Sequence, residues 1–423
     1  MALQISATNP EHPALLLELP WGTPLEEWPE EYLVPLPRGI SRHVVRYARA
    51  GEETVAVKEL AERPALREYE LLRDLDRLGI PAVDALAVVT GRTDGAGEPL
   101  EPVLITRHLG GSMPYRSMFE TTMRPATMHR LMDALAVLLV RLHLAGFAWG
   151  DCSLSNTLFR RDAGAYAAYL VDAETGELHR RLSDGQREYD LDLARVNISG
   201  ELLDLEASGA LHPSVDPVGF GAEICARYRG LWQELTRTSV YPAGKHHYIE
   251  RRIRRLNDLG FDVAEMQIES SPTGDTVTFV PKVVDAGHHQ RQLLRLTGLD
   301  TEENQARRLL TDLESWMATQ EDYAPGDPLP SSRLRSSRGD PHAARPEVLA
   351  HRWVREVFRP TVRAVPRELR GDMDPAELYH QVLEHRWYLS ERAQHDIGLD
   401  TAVRDYVDNI LPTARRAPEP ARD

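Results

Sequence analysis

Five side chains, in chain order Lys58, Glu68, Asp151, Asn156 and Asp172, have the types and spacing from which a phosphoryl-transfer site can be assembled. Such chemistry asks little covalent work of a protein: a cation on the phosphates, carboxylate and amide ligands for Mg²⁺, and a carboxylate beside the attacking hydroxyl. Lys58 ends the strand-like run Val-Ala-Val-Lys, Asp151 and Asn156 stand five apart in W-G-D-C-S-L-S-N, and Asp172 follows the apolar Tyr-Leu-Val. Glu68 precedes Leu71 and Leu72 by three and four residues, so it falls on the inward face of the helix after Lys58. Glu70, followed at i+4 by Asp74, marks the outward face, which leaves Glu68 as the better partner for Lys58. Lysine itself is nearly absent: the chain has 3 lysines, Lys58, Lys245 and Lys282, against 47 arginines. A position that keeps lysine in such a sequence is a candidate for a compact point charge that guanidinium cannot replace.

The elements that would carry these residues follow from periodicity and turn signals. Residues up to about Pro37 read as a Pro- and Glu-rich extension with little regular structure. ISRHVVRYA and TVAVKEL, joined at Gly51-Glu52-Glu53, read as a hairpin. A helix opens near Pro64 with Leu71, Leu72, Leu75 and Leu78 as its apolar stripe, and Gly79 and Pro81 end it. VDALAVVTG and PVLITRHL supply two more strands. A buried helix is expected from Pro125 to about Ala145, then a loop and strand through FAWGDCSLSNTLFRRD, a second strand in AYLVDAETGEL, and an amphipathic helix over Tyr189 to Glu206. The C-terminal part reads as a helix, two strands and a helix, then a long Pro-, Ser-, Gly- and Arg-rich mobile loop, then further helices around HRWVREVF, PAELYHQVLEHRWYLSERAQH and TAVRDYVDNIL.

Strand-Lys, helix-Glu, buried helix, loop Asp/Asn and strand-end Asp, in this order, match the catalytic-loop and metal-binding pattern of the protein-kinase-like superfamily. Residues from about Arg38 to Leu205 resemble a small-molecule or lipopolysaccharide-type kinase of that superfamily. The whole chain resembles a bacterial family of unknown function in which this half precedes a family-specific C-terminal region. The resemblance implies an α+β, two-lobed fold with a C-terminal α/β and helical extension. Its parts would be an extension over 1–37, a β-rich lobe over 38–110, a helical lobe over 111–243, a C-terminal region over 244–412 with a mobile loop at about 319–346, and a disordered tail over 413–423. It further implies ATP and Mg²⁺ as cofactors, with Lys58 on the α/β-phosphates, Glu68 orienting Lys58, Asp151 as catalytic base, and Asn156 and Asp172 on the metal.

Departures narrow the reading. Trp149-Gly150-Asp151 stands where protein kinases have H-R-D, closer to the H-G-D of antibiotic and choline kinases. Asp172 is followed by Ala-Glu rather than Phe-Gly, and neither a G-x-G-x-x-G before Lys58 nor an A-P-E is present. Gly39, with Ser41 and backbone amides, is the candidate phosphate-covering turn. These changes point away from a protein serine/threonine kinase and toward transfer to a hydroxyl of a small-molecule or sugar-containing acceptor. Two alternatives stay open: a nucleotide-binding regulator without turnover, and adenylate transfer by the same residues.

The formal charge of -15 argues against a general nucleic-acid partner. The longest apolar run, Leu131 to Leu144, is broken by Asp133, Arg141 and His143, so no membrane span is expected. With no leader-like start and only Cys152 and Cys225, a reducing, cytoplasmic location is expected. The C-terminal region from about Gly244 is the expected place of acceptor or protein-partner choice. Weaker candidates have plainer readings. Glu174 is a salt-bridged turn residue or a further metal ligand, and Cys152 a small loop residue. His246-His247 and His288-His289 read as surface or interface histidines, and Arg251, Arg252, Arg254 and Arg255 as a solvated basic face. His380-Gln-Val-Leu-Glu384-His385 is one residue too long for a zinc-protease helix.

Overall fold

The computed structural model describes residues 3–8, 16–36, 43–119, 125–242, 247–270, 276–320, 346–371 and 373–414. Contacts divide the chain into a first unit, Met1–Arg160 with Tyr166–Thr236, and a second, Arg161–Ala165 with Arg237–Asp423.

In the first unit, β1 (Gln4–Ala7), β2 (Val44–Ala50), β3 (Glu53–Glu59), β4 (Ala85–Thr90) and β5 (Val103–Arg107) form a five-stranded antiparallel sheet in the order β1-β4-β5-β3-β2. The alternation of β3 explains the placement of Lys58: Val55 and Val57 face the core at 0% exposure, so Ala56 and Lys58 point to the opposite face. The N-terminal extension is more structured than its composition suggests. β1 pairs along β4, and Leu16, Leu19, Trp21, Leu25 and Trp28 pack on the inner side of the sheet. Arg92, wholly buried, fixes this segment by donating to the carbonyls of Trp21, Thr23 and Glu101 while pairing with Glu59 at 2.7 Å. These are long-range contacts to backbone carbonyls, which leave no local signature in a Pro-rich segment. α1 (Glu62–Arg77) covers the other face with Ala65, Glu68, Tyr69, Leu72 and Leu75 buried. Leu78, expected in its stripe, caps the helix and is 48% exposed.

After β6 (Ser112–Pro114) and α2 (Tyr115–Phe119), the unit becomes helical. α3 (Pro125–Leu144) is buried on most sides, as expected of its sequence. β7 (Phe147–Ala148), the hairpin β8 (Thr157–Asp162) and β9 (Ala165–Leu170), and β10 (Glu177–Leu178) carry the loops that follow. α4 (Asp184–Ala207) starts at a capping box between Ser183 and Gln186. α5 (Pro217–Thr236) packs on α3 and α4. Three glycines, Gly219, Gly221 and Gly230, weaken its helical signal, yet Pro217 begins it and Phe220, Ile224 and Tyr228 recur every four residues on its buried face.

The second unit opens with β11 (Ser239–Pro242), α6 (His247–Asp258) and the hairpin β12 (Phe261–Ser270) and β13 (Thr276–Ala286), the strands ordered β11-β13-β12. α7 (His288–Thr297) and α8 (Glu303–Met317) follow. Next come α9 (Pro346–Trp353), a π-helical turn Val354–Phe358, α10 (Arg359–Ala364), α11 (Arg367–Arg370), α12 (Pro375–Ala393) and α13 (Leu399–Asp405), with a second π turn Tyr406–Ile410 leading to α14 (Leu411–Ala414). Their core centres on Leu309, Leu313, Trp353, Phe358 and Tyr379. Arg161–Ala165, the tip of the β8–β9 hairpin, is part of this unit. There the buried Asp162 carboxylate accepts the backbone N–H groups of Asn304 and Gln305 at the start of α8, at 3.2 and 2.7 Å, and Glu377 accepts from Ala163 N–H at 3.0 Å. Burial raises the Asp162 pKa to about 6 despite these donors.

Of the histidines and arginines expected at the surface here, His247 is exposed, while His288, His289 and Arg252 are not. His288 is buried against Asp262 at 2.5 Å and His289 meets Glu303 at 2.6 Å. Arg252 is buried, whereas Arg251, Arg254 and Arg255 are exposed. His385 pairs with Asp405 at 2.7 Å. His246, Lys245, residues 321–345 of the loop expected at about 319–346 and residues 415–423 of the tail expected over 413–423 lie outside the described residues, whereas residues 413 and 414 end α14.

Candidate functional site

Within the first unit, three of the five residues meet directly. Lys58 Nζ donates to Glu68 Oε2 at 2.9 Å and to Asp172 Oδ2 at 2.8 Å. The pairing joins β3, α1 and the segment after β9, so a single ammonium ties the β-rich lobe to the loop below it. Glu68 is 1% exposed and Lys58 13%. Burial, reinforced by the nearby Asp172 charge, lifts the Glu68 pKa to about 7 against the opposing pull of Lys58. For Lys58, burial works against the ammonium, but Glu68 and Asp172 outweigh it and the pKa rises.

Asp151 and Asn156 sit together on the loop between β7 and β8. The Asn156 amide Nδ2 donates to the Asp151 carbonyl at 3.0 Å and to its Oδ2 at 3.1 Å. Asn197 on α4 donates to Asp151 Oδ1 at 3.0 Å, so both carboxylate oxygens are held by amide donors. Committing Nδ2 to Asp151 leaves the Asn156 Oδ1, the end suited to a hard cation. Gly39 and Ser41 lie outside the described residues.

The loop is held from beneath by residues the motif reading did not single out. Asp190 accepts the backbone N–H groups of Trp149 at 2.9 Å and Gly150 at 2.7 Å. It also meets His143 Nε2 at 2.9 Å, and the other ring nitrogen of His143 contacts the Tyr228 hydroxyl at 2.7 Å. Against its burial, these donors keep the Asp190 pKa below the usual carboxylate value. Glu201 accepts the N–H of Leu154 at 2.6 Å and the N–H of Ser155 at 3.1 Å. Asp190, Asn197 and Glu201 are spaced by seven and four residues, which puts them on one face of α4. That polar stripe was the available signal, although nothing local says what it faces.

Trp149, in the position of the kinase histidine, is fully buried, and its indole N–H donates to the Asp172 carbonyl at 2.8 Å. The change of ring therefore keeps a donor that ties the Asp151 loop to the Asp172 loop. Thr175 adds a second tie by donating to the Trp149 carbonyl at 2.9 Å. Gly150 has φ +76°, and a Cβ there would lie 3.3 Å from the Thr175 carbonyl oxygen. Only glycine takes both that conformation and that approach without strain.

Glu174 makes the ion pair expected of it and lies among other carboxylates. Its Oε2 contacts His43 Nε2 at 3.2 Å, and its carboxylate joins Glu68 and Asp172 in a group whose ligand atoms lie within 4.8 Å of one another. It is the one such group of three among the described residues. Oxygen-only donors of this kind suit Mg²⁺ rather than a softer metal. Cys152 is fully buried and its thiol pKa is pushed well up by burial, which fits an inert loop residue.

The lobed architecture and this constellation define a protein-kinase-like fold. Residues 48–208 match the lipopolysaccharide kinase (Kdo/WaaP) family, and residues 230–411 match a domain of unknown function, DUF4032. The matched N-terminal part thus has a kinase-like fold related to the Kdo/WaaP family, followed by a DUF4032 C-terminal region. Among solved structures, "WaaP in complex with acyl carrier protein" is similar at 15% identity and a TM-score of 0.35, covering 60% of this chain and 99% of that one. No curated protein matches the sequence. None of the described helices is long and apolar enough to cross a membrane.

Proposed function

We propose that the first unit is an ATP- and Mg²⁺-dependent phosphotransferase acting on a hydroxyl of a small-molecule or sugar-containing acceptor. The observation that carries this reading is the Lys58 ammonium seated between Glu68 and Asp172 at 2.9 and 2.8 Å. A lysine buried between two carboxylates has a structural use, but it does not account for Asp151 being presented with both oxygens oriented on a loop braced by Asp190 and Asn197.

In this reading Lys58 holds the ATP phosphates and Glu68 fixes Lys58. Asp151 receives the acceptor proton as the acceptor oxygen bonds to the γ-phosphorus and the bond to the β,γ-bridging oxygen breaks, releasing ADP. Asp172 and Asn156, with Glu174 adjacent, are the residues that would hold Mg²⁺, which supplies charge neutralisation at the phosphates when bound. The test is isotope tracing with ATP labelled at the α- or γ-phosphate, incubated with candidate acceptors. Label from the γ-position alone in the product supports phosphotransfer. Label from the α-position means adenylate transfer, and none with any acceptor, despite nucleotide binding, favours a regulator without turnover.

A further inference from the structure

A pocket of about 380 Å³ in the second unit is lined by the loop Leu299–Thr301, by α10 and α11, and by the start of α12. Its apolar wall is Leu299, Phe358 and Val362, while Arg359, Arg363 and Arg370 supply the charge. Arg359 and Arg363 are four apart on one helix and so share a face, as do Phe358 and Val362.

Several other arginines in the unit are paired with carboxylates. Arg291 pairs with Asp262 and Arg386 with Asp396, both at 2.6 Å, and Arg352 and Arg355 share Glu356. Among the described residues, Arg359, Arg363 and Arg370 have no side-chain ion pair or hydrogen bond, in a chain with 65 acidic against 50 basic residues. The Arg370 Nε is also enclosed without an acceptor. A buried donor left unmade is costly, and a ligand acceptor would relieve it. Two carboxylates line the same pocket, Asp300 and Asp374, but Asp374 Oδ1 accepts the N–H groups of Ala376 and Glu377 at 2.8 and 3.2 Å as the cap of α12.

We propose that this pocket binds a small organic phosphomonoester, with Arg359, Arg363 and Arg370 on its phosphate and Leu299, Phe358 and Val362 against its carbon body. Guanidinium forks complement phosphate oxygens better than any other side chain. The volume suits a small molecule rather than a polymer.

The test uses the full chain and phenyl phosphate, titrated by calorimetry and by ³¹P NMR, with phenol and inorganic phosphate as partial probes. Phenyl phosphate is expected to bind more tightly than either fragment, and Arg363→Gln and Arg370→Gln each to weaken it by ~10- to 150-fold. Arg359→Gln, at an exposed position, provides a third variant should Arg370→Gln fail to fold, with melting temperature as the control. Arg251→Gln, at an exposed position outside the pocket, should leave the binding unchanged. Loss of binding in Arg251→Gln but not in the pocket-arginine variants would put the ligand elsewhere and overturn the proposal. Absence of phenyl phosphate binding at millimolar concentration would do the same. Sedimentation with phosphatidylcholine vesicles only when they contain phosphatidic acid, abolished by the pocket-arginine variants and unaccompanied by phenyl phosphate binding, would overturn the soluble ligand in favour of a lipid phosphate.

Discussion

Replacing Lys58 by arginine preserves the charge and tests whether the site needs a point charge at that place. The ammonium nitrogen lies 2.9 Å from Glu68 and 2.8 Å from Asp172, with the side chain 13% exposed, so its room is already defined by two carboxylates. A guanidinium is planar and wider, and cannot occupy the same point while keeping both contacts and leaving a direction for phosphate. Losing one charge-assisted contact costs roughly 1.5 to 3 kcal/mol, which lowers ATP affinity or turnover by ~10- to 150-fold. Lys245→Arg and Lys282→Arg serve as controls, since neither is among the residues assigned to the site. The assay is ATP titration calorimetry for all three variants, turnover once an acceptor is found, and melting temperature to show that each is folded. A folded Lys58→Arg protein that binds and uses ATP as the wild type does would refute the phosphate-anchor role.

Further expectations concern the same unit. Because the folded-state pKa of Glu68 is raised to about 7 from 4.5, the folded protein holds that proton more tightly than the unfolded chain. Its contribution to stability is therefore full below pH 4.5 and is lost as pH rises through 7. The unfolding free energy of wild type relative to Glu68→Gln should fall over that window, and denaturant titrations showing it rise instead would contradict the assignment. Gly150→Ala should destabilise by roughly 1–2 kcal/mol through its left-handed backbone and reduce turnover more than ATP affinity; an unchanged melting temperature and rate would remove the strain argument. Asp190→Ala leaves two loop N–H groups without their acceptor, an expected loss on the order of 3 kcal/mol by urea denaturation, and a neutral result would mean the loop is held by other contacts.

The part of this site that was legible in the sequence is the part built on local periodicity. Strand alternation put Lys58 opposite Val55 and Val57, and helical spacing put Glu68 inward, so their meeting followed from two short patterns. Asp190, Asn197 and Glu201 were not legible in the same way, because each binds backbone or side chains more than 40 residues away. The same holds for β1, whose pairing to β4 spans some 80 residues of sequence. α8 was missed for a different reason: its Glu302 and Gln305 form a capping box without the usual Ser or Thr, so the start signal was absent. The fold class was nevertheless readable, since the order of strands, buried helix and acidic loop ends does not depend on those distant contacts.

The central claim is that Asp172, with Asn156, holds Mg²⁺ for a nucleotide while Asp151 acts on the acceptor. Titration calorimetry of ATP with and without Mg²⁺ tests it most directly, using wild type, Asp172→Ala and Asp151→Asn. Mg²⁺ should strengthen binding to the wild type and to Asp151→Asn, and do little for Asp172→Ala. Equal affinity with and without Mg²⁺ in all three proteins would contradict the account.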